Sequence, residues 1–152
     1  MARIEHTFIV QRPVTLVYGL LTDFKRLSDW QPDLLSVHLT SADPLRVGTM
    51  MSQERRFGAG QTFLNVDMLE VARNQALEYS GLHGRFRLRR RIELSSQGGA
   101  TQVKDVLELR IPLLWSLVSP LYAATLRRQT ADEWRRFKAL LEGQSSSSSP
   151  IP

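Results

Sequence analysis

The chain has 152 residues, a formal net charge of +5 carried mostly by arginine, 42% apolar residues and no cysteine. That length and apolar share fit one domain with a real core, and the absence of cysteine excludes disulfides, thiolate metal sites and Cys nucleophiles. No apolar run approaches the roughly 18 residues of a spanning helix, and the charged start Met-Ala-Arg-Ile-Glu-His has no apolar signal core, so a soluble cytoplasmic protein is the expectation.

Arg3–Val10 alternates, with Ile4, His6, Phe8 and Val10 on one side, as in a half-buried strand. Arg12-Pro13 ends it, because Pro13 has no N–H for a ladder but suits the first turn of a helix. Val14, Val17, Tyr18 and Leu21 then repeat at helical spacing. Asp23 is placed to cap a second short helix from Phe24 to about Trp30, and Pro32 breaks the chain again. Further strands are expected at Leu35–Ser41, Thr49–Phe57, Thr62–Ala72 and Gln75–Leu82. Turns are expected at Ser41–Pro44, Gly58–Gly60 and Arg73-Asn74.

The clearest strand is Arg85–Ser95, where Phe86, Leu88, Ile92 and Leu94 oppose Arg85, Arg87, Arg89, Arg91 and Glu93. Gln97-Gly98-Gly99 makes the tip of a hairpin with the seventh strand, Thr101–Leu109. Leu113–Val118 reads as a short apolar lead-in helix. From about Leu121 a long amphipathic helix carries Ala123, Leu126, Thr130, Trp134, Phe137 and Leu141 on one face. Gly143 is expected to stop it. The order is strand, two short helices, six strands, long helix, which argues α+β with the helix on one face of an antiparallel sheet. The expected domain is residues 1–143, followed by a disordered Ser/Pro tail over 144–152.

This order resembles the helix-grip fold of the START-like, Bet v 1-like superfamily, and within it the polyketide cyclase/dehydrase and lipid-transport branch. The resemblance covers Arg3 to Gly143. It rests on Arg12-Pro13, Leu21-Thr22-Asp23-Phe24, Trp30-Gln31-Pro32, Val47-Gly48-Thr49, Gly98-Gly99-Ala100-Thr101-Gln102-Val103 and the ending Phe137–Gly143, each weak alone and specific in their order. It implies a seven-stranded curved antiparallel sheet gripping the C-terminal helix, with the first strand beside the seventh and the seventh beside the sixth. It also implies a cavity between sheet and helix. It does not imply one function, because fold and chemistry are separable.

Three polar residues stand on otherwise apolar faces: His6, Arg90 and Asp105. If Ile92 lies opposite Val103, Arg90 lies opposite Asp105, and an inward charge needs such a partner. Two readings stay open for the pair. It closes a polar spot in the sheet, or Arg90 and His6 offer donors to a ligand carboxylate, phenol or carbonyl while Asp105 orients them. The expected ligand-binding set is these three with Phe8, Trp30, Val66, Met68, Tyr79, Phe86, Leu88, Leu107, Leu126 and Thr130. Trp30 and Trp115 are expected near the entrance. On the helix, Ala123, Leu126 and Thr130 are expected as cavity wall, and Trp134, Phe137 and Leu141 as plain packing.

Binding or transport of a small hydrophobic ligand, such as a lipid, polyketide or aromatic metabolite, is the leading expectation. A cyclase/dehydratase using the same cavity, with His6 or Tyr79 moving protons, is the alternative. It would need neither a metal nor a nucleotide cofactor, since no phosphate-binding loop, dinucleotide fingerprint or zinc-protease motif is present. A third option is an interaction module using the basic outer face of Arg85, Arg87, Arg89 and Arg91. That face suits weak contact with an anionic membrane, and nucleic acid is disfavoured because aromatic residues are not interleaved there. The apolar lead-in around Leu114, Trp115 and Val118 offers a route to a homodimer.

Overall fold

The computed structural model describes residues 2–39, 47–57, 60–83, 86–117 and 119–147. Strand β1 (Ala2–Val10) leads into helix α1 (Val14–Leu21), a 3₁₀ turn (Phe24–Arg26) and helix α2 (Leu27–Trp30). Strands β2 (Leu34–Leu39), β3 (Met50–Phe57), β4 (Gly60–Ala72), β5 (Ala76–His83), β6 (Phe86–Gln97) and β7 (Ala100–Arg110) follow. A second 3₁₀ turn (Leu113–Trp115) precedes helix α3 (Ser119–Ser147). The strands form one open antiparallel sheet in the order β1-β7-β6-β5-β4-β3-β2. This is the α+β helix-grip arrangement, with the short helices between β1 and β2.

Alternation builds the sheet, and α3 fills its concave face. Ile4, Leu64, Val66, Met68, Leu77, Ile92, Val103 and Leu107 are buried, each at the parity of its strand's apolar side. From α3, Thr130, Trp134, Phe137 and Leu141 are buried at steps of three and four. α1 and α2 close one end with Val17, Leu20, Leu21, Leu27 and Trp30. Sheet curvature needs one close backbone approach. A Cβ on Gly81 would meet the backbone oxygen of Asn65 at 2.5 Å, so only glycine lets β4 and β5 come this near. Gly98, at φ +65°, makes the β6–β7 tip.

The Arg12-Pro13 pair has a physical role. Arg12 Nε donates to the carbonyl of Leu141 and Nη2 to that of Glu142, both at 2.9 Å. The Arg12 carbonyl accepts from Thr101 Oγ1 at 2.8 Å. One side chain and one peptide thus tie the β1–α1 corner to α3 and to β7.

Several expectations are corrected. α3 continues through Gly143 to Ser147, because the backbone there stays helical instead of turning into the left-handed conformation that ends a helix. Asp23 makes no side-chain cap; its backbone serves instead, the N–H donating to the Leu20 carbonyl and the carbonyl accepting from the Arg26 N–H. Trp30 is fully buried, so it is not an entrance residue; it stacks on Trp134 at 5.5 Å and meets Phe137 edge-on at 4.9 Å. The β6–β7 register puts Leu94, not Ile92, opposite Val103. The expected turns at 41–44 and 58–59, Arg85, Val118 and positions 148–152 lie outside the described residues. Among the described residues, no helix is long and apolar enough to cross a membrane.

Candidate functional site

Arg90 and Asp105 meet although the register differs by two residues from expectation. Arg90 lies opposite Leu107, and Asp105 opposite Ile92. A two-residue shift preserves which face a side chain occupies, and a diagonal neighbour is within reach of a long arginine. Arg90 Nε and Nη2 grip the two carboxylate oxygens at 2.8 and 2.7 Å, with both side chains buried. Trp134 Nε1 donates to Asp105 Oδ2 at 2.7 Å, and the Arg90 guanidinium lies 5.4 Å from the Trp134 ring centre. Trp134 is therefore more than packing: it fills a lone pair on the carboxylate and offers a π face to the cation. Burial alone would lower the Arg90 pKa; Asp105, together with Tyr79 and Glu133, outweighs it and holds the guanidinium well above its usual range.

His6 lies directly opposite Asp105 on β1. Its Nε2 is 2.8 Å from Thr130 Oγ1, which itself lies 2.9 Å from the Leu126 carbonyl. Thr130 has one hydroxyl proton and gives it to the helix backbone. With the hydroxyl proton so placed, the His6 tautomer that satisfies both groups is the one with Nε2 protonated and donating to Thr130. Burial, with Arg90 and Arg127, lowers the His6 pKa against the pull of Asp105. His6 is thus committed to α3 and opens onto an outer groove of about 220 Å³ shared with Phe8, Arg135 and Lys138.

The inner cavity, about 80 Å³, lies between the concave face and α3. Of the expected set it is lined by Tyr79, Leu88, Arg90, Leu107, Leu126 and Thr130. The others lie elsewhere. Asp105 sits behind Arg90, and His6 behind Thr130. Phe8 packs on Trp134 at 5.2 Å. Val66 is plain core; Met68 faces Tyr79 across β4–β5 and borders a void of about 20 Å³ with Trp30. Phe86 packs on Tyr122 at 5.0 Å and on Trp115 at 6.4 Å.

Three charged residues of the cavity were not singled out in the sequence: Glu133, Arg55 and the exposed Arg56. Glu133, only 3% exposed, lines it from α3, and Arg55 lines it from β3. Arg55 Nη1 is 3.5 Å from Glu133 Oε1; its Nε donates to Gln53 at 2.8 Å and its Nη2 to Gln31. Burial raises the Glu133 pKa, opposed by Arg55 and Arg90 and reinforced by Asp105 and Asp33. Signals for Glu133 and Arg55 existed. Glu133 falls between Thr130 and Phe137 on the helix stripe, and Arg55 shares the inward parity of the buried Met51 and Gln53. Tyr122 adds a phenol whose pKa burial pushes up to about 12. Among the described residues, no three His, Cys, Asp or Glu side chains converge as a metal set.

The cavity is apolar on its flanks and polar where Arg90, Tyr79 and Glu133 meet. Arg90 Nη1 donates to the Tyr79 hydroxyl at 3.3 Å, which leaves the phenolic proton to be donated elsewhere. Such a site can orient one oxygen of an otherwise apolar molecule.

The outer face of β6 differs. Arg89 pairs with Glu78 at 2.6 Å, and Arg91 pairs with Glu70, Glu78 and Glu93 at 2.5, 3.0 and 2.7 Å. Much of the arginine stripe is thereby neutralised.

A family model described as polyketide cyclase/dehydrase and lipid transport matches residues 1–142. Among curated proteins no relative matches. Solved structures share the fold at low identity. The Zhui aromatase/cyclase of Streptomyces sp. R1128 superposes with a TM-score of 0.79 at 12% identity over 99% of each chain. TTHA0849 of Thermus thermophilus gives 0.78 at 14%, over 97% of this chain and 100% of that one. A START superfamily protein of Mycobacterium smegmatis gives 0.72 at 14%, over 93% and 98%.

Proposed function

The chain belongs to the polyketide cyclase/dehydrase and lipid transport family, and from that premise we propose that residues 1–143 bind a small hydrophobic ligand carrying a neutral oxygen at one end. The observation that carries the reading is charge balance. Of the three guanidiniums that line the cavity, the buried Arg90 and half-buried Arg55 already face Asp105 and Glu133, and the third, Arg56, is exposed to water. A ligand carboxylate would meet cations that are spoken for and the acidic Glu133 besides. A carbonyl or phenol meets the Tyr79 hydroxyl and apolar walls at no such cost. The cavity is below the about 150 Å³ of a void that takes up benzene, so a larger ligand enters only as α3 and the wall beside it yield.

The test is calorimetric titration with 2-naphthol and 2-naphthoate, a neutral and an anionic probe of one shape. Binding of 2-naphthol at least tenfold tighter is expected. Tyr79→Phe should weaken 2-naphthol by about fivefold to tenfold, one neutral hydrogen bond's worth. Equal binding of both probes would refute the charge-balance reading.

The second reading is a cyclase/dehydratase. What favours it is Glu133, a buried carboxyl with a raised pKa beside Tyr79 and Arg90. A buried carboxyl whose pKa is raised above its ordinary value is suited to act as a general acid or base. Under this reading Glu133→Gln lowers turnover of a linear poly-β-ketone by about 10²-fold or more, with 2-naphthol binding retained. His6, committed to Thr130 outside the cavity, is the weaker proton carrier.

A further inference from the structure

The residues leading into α3 expose large apolar side chains that no other part of the described residues covers. Leu113, Leu114 and Leu117 are 89%, 90% and 93% exposed, Leu121 is 73% and Trp115 45%. Five such residues within nine positions exceed the scatter of single exposed leucines on a soluble surface. The surrounding charge has one sign. Between Glu108 and Asp132 the sequence has no acidic residue and three arginines, Arg110, Arg127 and Arg128. Arg110 stands directly opposite Arg87 at the end of the β6–β7 ladder, an unfavourable pairing for like charges. Among the described residues, none of Arg87, Arg110 and Arg128 has an acidic partner within ion-pair distance, whereas Arg89 and Arg91 on the same strand are paired. Arg128 lies seven positions after Leu121 and so shares its helix face, with the exposed Ala124 and Thr125 between them.

We propose that Leu113, Leu114, Trp115, Leu117 and Leu121, rimmed by Arg87, Arg110 and Arg128, form a docking surface for an anionic lipid bilayer. Charge decides the occupant. A second copy of this surface related by a two-fold axis would set arginine against arginine, while a bilayer offers apolar depth under an anionic plane. Position supports the same choice. Trp115 and Tyr122 both pack on Phe86, and Tyr122 lines the inner cavity. The docked surface therefore adjoins the cavity wall. The paired stripe on β6 is excluded as the lipid-facing site, because its carboxylates lie on the same surface as its arginines.

The test is co-sedimentation of the intact chain with vesicles of phosphatidylcholine alone or mixed with phosphatidylglycerol. Binding to the mixed vesicles, weakened by added salt, is expected, with a blue shift in tryptophan emission that Trp115→Phe removes. Arg110→Gln and Arg128→Gln should each weaken binding by about fivefold. Leu114→Ser with Leu117→Ser should abolish the shift while leaving the thermal melt unchanged. No preference for phosphatidylglycerol, or a lipid-free dimer in sedimentation velocity that Leu114→Ser dissociates, would overturn the proposal. This inference does not depend on the ligand reading. Vesicle binding lost with 2-naphthol uptake intact refutes docking alone, and the converse refutes the ligand reading alone.

Discussion

Strand β6 carries three consecutive arginines that occupy two different environments. Arg90 points into the concave face and is held by Asp105, with both partners removed from water. Arg89 and Arg91 point outward and are held by Glu70, Glu78 and Glu93 at similar distances. On distance alone the pairs are equivalent. Burial separates them: the inner pair has given up its hydration and depends on its partner, whereas the outer arginines can fall back on solvent. Glu78 lies between the two cases. Its burial under Arg89 and Arg91 would raise its pKa, but hydrogen bonds from those arginines outweigh this and hold it low.

The sharpest break of this contrast is Asp105→Asn. It leaves the Arg90 charge buried without a counter-ion and should cost about 3–5 kcal/mol in denaturant unfolding. Arg90→Met combined with Asp105→Leu should recover most of that loss, because no charge is then stranded. What remains is the Trp134 N–H without its acceptor, about 1–3 kcal/mol. The two stacked tryptophans sharpen the point. Trp134→Phe removes a bond to a carboxylate, while Trp30 Nε1 has no hydrogen-bond partner among the described residues. Trp134→Phe and Trp30→Phe shrink the core by a similar volume, so Trp134→Phe should be the costlier by about 1–3 kcal/mol in the same unfolding assay.

Next in size are two titrations of opposite sign. The Glu133 pKa is raised above its ordinary 4.5, so its contribution to stability is full below 4.5 and is lost as pH rises through the folded value. Glu133→Gln should therefore raise the melting temperature at neutral pH and flatten its fall above pH 4.5. The His6 pKa is lowered from 6.5, so its contribution is full above 6.5 and is lost as pH falls through the folded value. His6→Asn should blunt the loss of stability on the acid side. Thermal melts from pH 4 to 8 read both. The smallest effect is expected for Arg89→Ala on the outer face, less than about 1 kcal/mol, and salt should reduce it further.

The sequence reveals face more readily than register. Arg90 and Asp105 each break an apolar alternation, and that alone places both on the concave side. Which residues stand opposite each other depends on hairpin geometry at Gln97–Ala100, where a two-residue shift keeps every parity and leaves no trace in the pattern. On α3 the difficulty is composition. A glutamate in Asp-Glu-Trp-Arg-Arg reads as solvent-facing, yet its helical phase puts Glu133 among the buried residues. Trp134 reads as packing because a ring pattern does not say what its N–H will meet. Gly143 fits a helix stop, but a glycine ends a helix only where the chain turns into a left-handed conformation; here it continues as helix.

The clamp at Arg12 has a consequence for synthesis. Its carbonyl waits for Thr101, 89 residues later, and its guanidinium for Leu141 and Glu142, 129 and 130 residues later. Of the seven strands, β1 leaves the ribosome first and is among the last to find a neighbour, and the concave apolar face has no cover until α3 has been made. Closure of this sheet therefore waits for its last-made elements, slow by topology and exposed to aggregation until they arrive. A ribosome stalled before Thr130 would hold a chain with no lid for its own core.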